Sequence, residues 1–211
     1  ISLFAYAEQH DLSGSALLHA LLLGIEVECR VGNAVSPWHY ARGWHITSTC
    51  GVFGAACASA RLLGINEQQC LWALGSASVQ AGGLVESLGT MSKSVSMGNA
   101  ARNGMIAALL AQSDFDGPKA PIEGVRGFMP VTCDNPDFEA VVSDLGGRWE
   151  LLQNTYKPYP CGVVLNPVLD ACLDLATDSQ FTQRGVSGIA RIELIGRPLL
   201  KQRTDRPGIQ T

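Results

Sequence analysis

Apolar residues recur almost all the way round the helical wheel over residues 15–31, where Leu17, Leu18, Leu21, Leu22, Ile25 and Val27 leave little room for a polar face. That pattern predicts a helix at the centre of a domain. Ser13 or Ser15, beside the turn Asp11-Leu12-Ser13-Gly14, is its candidate cap. Residues 49–63 predict a helix of a different make, because Gly51, Gly54, Ala55, Ala56, Ala58, Ser59 and Ala60 are all small. A glycine inside a helix costs roughly 1 kcal/mol relative to alanine, so close packing of neighbouring helices has to offset it. Gly64 is placed to end this helix. Asn66 with Gln69 three residues on reads as the cap of another helix, reaching residue 79.

The pattern then loosens. Residues 80–96 form a Gly- and Ser-rich connection of the length that tends to carry function. A further Ala- and Gly-rich helix is predicted over 97–112, stopped by Asp116-Gly117-Pro118. Residues 32–42, with Pro37, Trp38, His39 and Tyr40, read as a loop, and 122–128 as a short helix and turn. Short helices follow over 136–145, capped by Asp134 or Asn135, and over 166–176, with Pro167 in the first turn. Near Gly185 the period changes: Ile189, Arg191, Glu193 and Ile195 alternate with Ala190, Ile192 and Leu194, which predicts a β-strand. The expectation is a mainly α chain, with a large all-helical domain over 1–156 followed by the start of a smaller α+β domain over 157–211. The chain opens on Ile1 in what reads as mid-helix, so an internal fragment is expected.

Composition removes several classes of function. With 46% hydrophobic and 16% charged residues, the chain is a well-buried globular protein and not a disordered one. A net charge of −4 with no Lys/Arg run gives no phosphate footprint, so no nucleic-acid partner is expected. The longest apolar stretches, around 17–25 and 104–111, read as too short to span a bilayer, so no membrane partner is expected either. The seven cysteines are irregularly spaced with no CxxC pair, which predicts no metal site and fits a reducing, cytoplasmic setting. No GxGxxG, P-loop or HExxH is present, so nucleotide and zinc-peptidase chemistry are set aside and no cofactor is expected.

An acidic chain can still hold an acidic metabolite in a local cationic pocket, and Lys93, Lys119, Lys157 and Lys201 are its four lysines. His45 stands just ahead of a predicted helix N-terminus, whose positive partial charge disfavours imidazolium. A neutral histidine there could move a proton or bind a carboxylate; it could equally be structural, packed on Trp44. Lys93 precedes a predicted helix start. It either shares an anion with that helix's free N–H groups or is a solvated surface lysine. Lys157 is held extended by Pro158, and a rigid cation suits substrate clamping, though a stiff interdomain linker would look the same. Thr47 and Tyr159 could donate hydrogen bonds nearby. His10, His19 and His39 have no partner spacing; His19 reads as a core residue, Glu26 and Glu28 as a solvated helix edge, and Cys161 as structural.

Several separated motifs, in order, resemble the MmgE/PrpD family. They are Ala5-Tyr6-Ala7-Glu8, Leu23-Gly24-Ile25-Glu26-Val27, the Gly43-Trp44-His45-Ile46-Thr47 segment running to Gly54, Gly89 to Gly98 with Lys93, Asn99-Ala100-Ala101-Arg102-Asn103-Gly104, Glu123-Gly124 with Gly127-Phe128, and Lys157-Pro158-Tyr159-Pro160-Cys161. The resemblance implies an all-helical domain with a smaller α+β lid, no cofactor, and a homodimer. It implies a lyase of the 2-methylcitrate dehydratase type acting on a small di- or tricarboxylate, with epimerase and decarboxylase activities as the alternatives within the family. A non-catalytic helical scaffold is the alternative outside it. By motif, His45 is similar to the family's active-site histidine and Lys93 and Lys157 to its two substrate-contacting lysines, with Thr47 and Tyr159 as substrate-binding candidates. Two departures stand out. The family's Asp-Asp-Thr-His-type segment would lie before Ile1, which implies that the chain as given is inactive. Asn166 stands where the family often has a histidine.

Overall fold

The periodic segments of the first half fold as helices. In this computed structural model, which describes residues 1–179 and 185–204, they differ from the predicted helices chiefly at their ends. α1 is Ser2–Ala7, α2 Gly14–Val35, α3 Trp38–Ala41, α4 Ile46–Leu63, α5 Glu67–Ser78 and α6 Ser92–Gln112. α7 is Phe128–Thr132, α8 Phe138–Val142, α9 Asn166–Thr177 and α10 Pro198–Thr204. The chain divides into two compact units, Ile1–Asn154 and Thr155–Thr211.

The predicted caps account for the clean helix starts. Ser13 accepts from the Ala16 amide at α2, and Asn66 and Gln69 form a reciprocal capping box at α5. Gly64 closes α4 with φ 64°, the left-handed region that glycine enters without strain. Three boundaries move. α6 begins at Ser92 and not at 97, so Lys93 lies in its first turn. The 32–42 loop holds the end of α2 and all of α3. α8 is shorter than the predicted 136–145 helix and is capped by Asp137.

In the first unit α4 packs between α2 on one side and α5 and α6 on the other. Small residues set the spacing. A Cβ added to Gly24 of α2 would lie 2.9 Å from both the Ala58 Cβ and the Gly54 carbonyl, and one on Gly104 of α6 would lie 2.5 Å from the Ala55 Cβ. Phe53 and Phe128 meet edge to face, 4.9 Å between centroids, at the heart of the core. α4 is apolar and long enough to pass for a membrane span, with 18 residues at mean hydropathy 1.3; its packing on both sides, with 61% of it buried, accounts for that composition.

α2 is buried mainly over its second half. Leu18 and Leu22 are exposed, and so is His19, which is therefore no core residue. Glu26 moves the other way, from predicted solvated edge to interior. Arg30, one turn on, donates to it at 2.6 Å, and the Glu150 amide donates to its second oxygen at 2.7 Å. The same guanidinium reaches the carbonyls of Val141, Ser143 and Arg148. A buried charge is tolerable only when paired and hydrogen-bonded, and this network pins residues 141–150 onto α2.

The second unit holds a 3₁₀ turn at Val163–Leu165, α9, a second at Val186–Gly188, and α10. The strand expected over 189–195 is not formed: no ladder involves these residues among those described. Arg191 and Glu193 do pair at i,i+2, as an extended backbone allows. A strand, however, needs a neighbour for its N–H and C=O groups, and none of the described residues supplies one.

Candidate functional site

The N-terminus of α4 is built by a crossing of two loops. Gly43, at φ 97°, turns the chain, and its carbonyl accepts from the Val85 amide at 2.8 Å. The His45 amide donates to the Gly83 carbonyl at 3.0 Å, so Trp44 and Leu84 face each other as an isolated antiparallel bridge. The loop leading to Lys93 is thereby tied to the Gly-Trp-His segment. Contact is close: a Cβ on Gly83 would fall 1.9 Å from the Ser48 hydroxyl oxygen.

His45 is the N-cap residue of α4, yet its imidazole caps nothing. The Ser48 and Thr49 amides donate to its carbonyl at 3.0 and 3.1 Å, and the hydroxyls of the same two residues at 3.0 and 3.2 Å. The ring meets the Ser48 hydroxyl through Nδ1 at 3.3 Å, and 4% of the residue is exposed. Burial holds its pKa below the ordinary histidine value, and the positive charge of Lys93 lowers it further. The two residues are therefore within electrostatic reach. Lys93 itself is exposed. In the first turn of α6 it sits where a cation opposes the helix dipole and an anion is favoured.

Thr47 is exposed and lies on the rims of two cavities that flank α4. One, of about 220 Å³, is lined by Glu28, Gly51, Gly54 and Met97 among others; the second, of about 290 Å³, by Glu28, Asn33, Cys50 and Glu150. Glu28 faces both, and burial pushes its carboxyl pKa up, so it too departs from the expected solvated edge. His45 and Lys93 line neither cavity.

Lys157 and Tyr159 belong to the second unit. Lys157 is exposed, and the Tyr159 hydroxyl donates to Asp170 of α9 at 2.5 Å, which raises the tyrosine's pKa. Asn166 opens α9 and accepts from the Cys161 thiol at 3.7 Å.

Two residues escaped the sequence reading. Ser48 could have been found from its i+3 spacing to the capping position. His39 carries no local signal; it is fully buried, stacks on Trp44, leans on Phe128 and meets the Thr49 hydroxyl through Nε2 at 2.7 Å. Its Nδ1 has no well-aligned partner. Burial brings its pKa down to about 4, with the Thr132 backbone opposing the shift in part.

The sequence signature of the MmgE/PrpD N-terminal domain matches residues 2–141. Cis-aconitate decarboxylase of Aspergillus terreus is 35% identical over 173 residues, covering 77% of this chain and 35% of that protein. Cis-aconitate decarboxylase-like protein oryM of Aspergillus oryzae is 34% identical over 176 residues, covering 76% and 36%. Cis-aconitate decarboxylase of Homo sapiens is 29% identical over 200 residues, covering 88% and 41%. The chain thus spans between a third and a half of the length of the curated relatives it matches.

Proposed function

Because the chain belongs to the MmgE/PrpD family, we propose that it forms the helical part of a cofactor-independent lyase that removes a carboxyl group from a small unsaturated tricarboxylate. The observation that carries the reading is a buried histidine, free of capping duty and held below its ordinary pKa, within the field of a lysine on the first turn of a second helix. The names of the relatives turn the expected dehydratase reading toward its decarboxylase alternative.

The chemistry asks for such a pair. When CO₂ leaves an allylic carbon, the electron pair of the broken C–C bond passes through the double bond to the carbon beside a second carboxylate. The resulting enolate charge needs a cation, and that carbon needs a proton. Lys93 is assigned the first task and His45 the second. A bound polyanion offsets the Lys93 charge, so His45 becomes easier to protonate when substrate is present, which suits proton delivery. Thr47 is assigned to substrate binding by the resemblance, since the two cavities on whose rims it lies are not lined by His45 or Lys93. For Lys157 and Tyr159 the same assignment rests on the resemblance alone.

The test uses the full-length protein carrying this chain, incubated in D₂O separately with cis-aconitate, 2-methylcitrate and iminodisuccinate and followed by proton NMR. Loss of CO₂ with one deuteron in the product methylene is expected for cis-aconitate alone. His45→Asn and Lys93→Met are each expected to lower the rate by 10²-fold or more with the helical circular dichroism unchanged. An alkene signal from 2-methylcitrate would restore the dehydratase reading. Silence with all three, from a folded protein, would overturn the enzyme reading in favour of the scaffold.

A further inference from the structure

A histidine that delivers protons must present one ring nitrogen and hold the other, and at His45 the holding partner is Ser48 of α4. The Ser48 hydroxyl is buried, with 1% of the residue exposed; it lies 3.3 Å from Nδ1 and donates to the His45 carbonyl at 3.0 Å. A hydroxyl has one hydrogen to give. Committed to the carbonyl, that hydrogen leaves the Ser48 oxygen facing Nδ1 with a lone pair, so Nδ1 has to be the donor. Thr49 competes for the same carbonyl at 3.2 Å but has a closer partner in His39 Nε2, at 2.7 Å. A serine bonded to a carbonyl three residues back is common near helix starts; what sets this one apart is the ring nitrogen on its other side.

The opposite edge of the ring differs. Nε2 has no hydrogen-bond partner among the described residues, and it is not sealed either: the one sealed side-chain nitrogen or oxygen there without a partner is His39 Nδ1. Ser48 has little room to turn away. Its hydroxyl fills the space that a side chain at position 83 would take, since a Cβ on Gly83 would fall 1.9 Å from the oxygen. The loop that bridges to Trp44 therefore backs the hydroxyl against the ring.

We propose that Ser48 is the positioning residue that fixes the His45 tautomer, holding the ring hydrogen on Nδ1 and making Nε2 the nitrogen that exchanges protons with substrate. The assignment rests on the proton-delivery role proposed for His45. The imidazolium carries a hydrogen on each nitrogen. The one on Nε2 passes to the carbanionic carbon, whose electron pair forms the new C–H bond, while Nδ1 keeps its own, donated to Ser48. Nε2 then regains a proton from solvent, the proton that decarboxylation consumes overall. Without the hydroxyl the Nδ1 hydrogen would be buried with no acceptor, which disfavours both the imidazolium and the Nδ1–H form.

The full-length protein carrying this chain, its histidine rings labelled with nitrogen-15, would be read by long-range proton–nitrogen correlation NMR at pH 8, where burial and Lys93 keep the ring neutral. The spectrum distinguishes the two neutral tautomers, and His45→Asn identifies the His45 signals. The Nδ1–H form is expected in the wild type. In Ser48→Ala the ring should revert to the Nε2–H form that free histidine favours, and kcat on cis-aconitate should fall about tenfold with KM unchanged. The Nε2–H form in the wild type, one tautomer common to both proteins, or an unchanged kcat in an active Ser48→Ala protein would overturn the proposal. A wild type that turns over none of the three acids overturns the enzyme reading and leaves the spectra to judge Ser48. Should Ser48→Ala fail to fold, the wild-type spectrum decides alone.

Discussion

The two units differ in how they hold charge. Ile1–Asn154 has an exposed Arg42–Asp134 pair and also an ionic network inside: Glu26 and Arg30 are 5% and 3% exposed, pair with each other, and take further partners from residues 141–150, far along the chain. In Thr155–Thr211 the described ionic contacts lie at the surface, as in the Arg191–Glu193 pair at 3.3 Å, whose side chains are 77% and 60% exposed. A buried pair must be satisfied by many atoms at once, so it fixes backbone position over long sequence distances. An exposed pair is satisfied by water when its partner leaves, and fixes little. The contrast also explains where the candidate chemistry is legible. His45 has a perturbed environment that says something about its role, whereas Lys157 stands exposed and its role rests on motif alone.

The largest effect that would sharpen this comparison is expected from Arg30→Ala. It removes four hydrogen bonds at once, leaving the Glu26 carboxylate buried with one partner and orphaning the carbonyls of Val141, Ser143 and Arg148. Breaking a buried pair from one side costs about 3–5 kcal/mol, read as a shift in the urea midpoint. A loss below about 1 kcal/mol would mean that the segment 141–150 is held by something else.

Next comes the pH dependence carried by His39. Folding holds this histidine neutral down to about 4, while in the unfolded chain it protonates at 6.5. Between those values the unfolded state binds more protons, so stability falls as pH is lowered from 6.5 toward 4 and levels off below that. The full window amounts to about 3 kcal/mol. His45, also lowered, adds in the same direction. Urea midpoints at pH 7 and pH 5, compared between wild type and His39→Gln, isolate the His39 share from the carboxylates that titrate in the same range. Parallel pH profiles in the two proteins would refute it.

Gly104→Ala is expected to be smaller and still destabilising. Alanine is the better helix former by roughly 1 kcal/mol. Here, however, its Cβ would lie 2.5 Å from the Ala55 Cβ and 2.6 Å from the Ala56 amide nitrogen, and backbone cannot swing aside. Overpacking of about 1–3 kcal/mol outweighs the propensity gain, so the thermal midpoint should fall; a rise would show that α4 and α6 can move apart freely.

What could be read beforehand follows the range of the physical signal. Caps and helix interiors are set within four residues, and Ser13, Gly64 and the Asn66–Gln69 box were all legible. α6 started five residues early because Met91 caps nothing with its side chain and Ser92-Lys93-Ser94 shows no apolar period. The strand over 189–195 had the right alternation, but pairing depends on residues elsewhere. Glu26 was misread because its second partner lies 124 positions away, and His39 escaped notice because Thr49 and Phe128 reach it only once α4 and α7 have packed. The Gly-Trp-His motif pointed to His45. The Gly83 contact, which decides how that histidine is presented, needed the loop crossing to be seen.

Arg191→Ala closes the series at the weak end, and its value lies in being nearly silent. The pair joins two residues on the same edge of one short segment, both largely in water. Its Coulomb gain is screened by solvent and salt and is set against the entropy of holding two long side chains in one geometry. Removing the guanidinium should leave the unfolding midpoint unchanged within error at any salt concentration. A salt-sensitive loss of stability would mean that Arg191 faces an acidic partner beyond Glu193. The second unit would then hold charge as the first does, and the contrast between the two would fail.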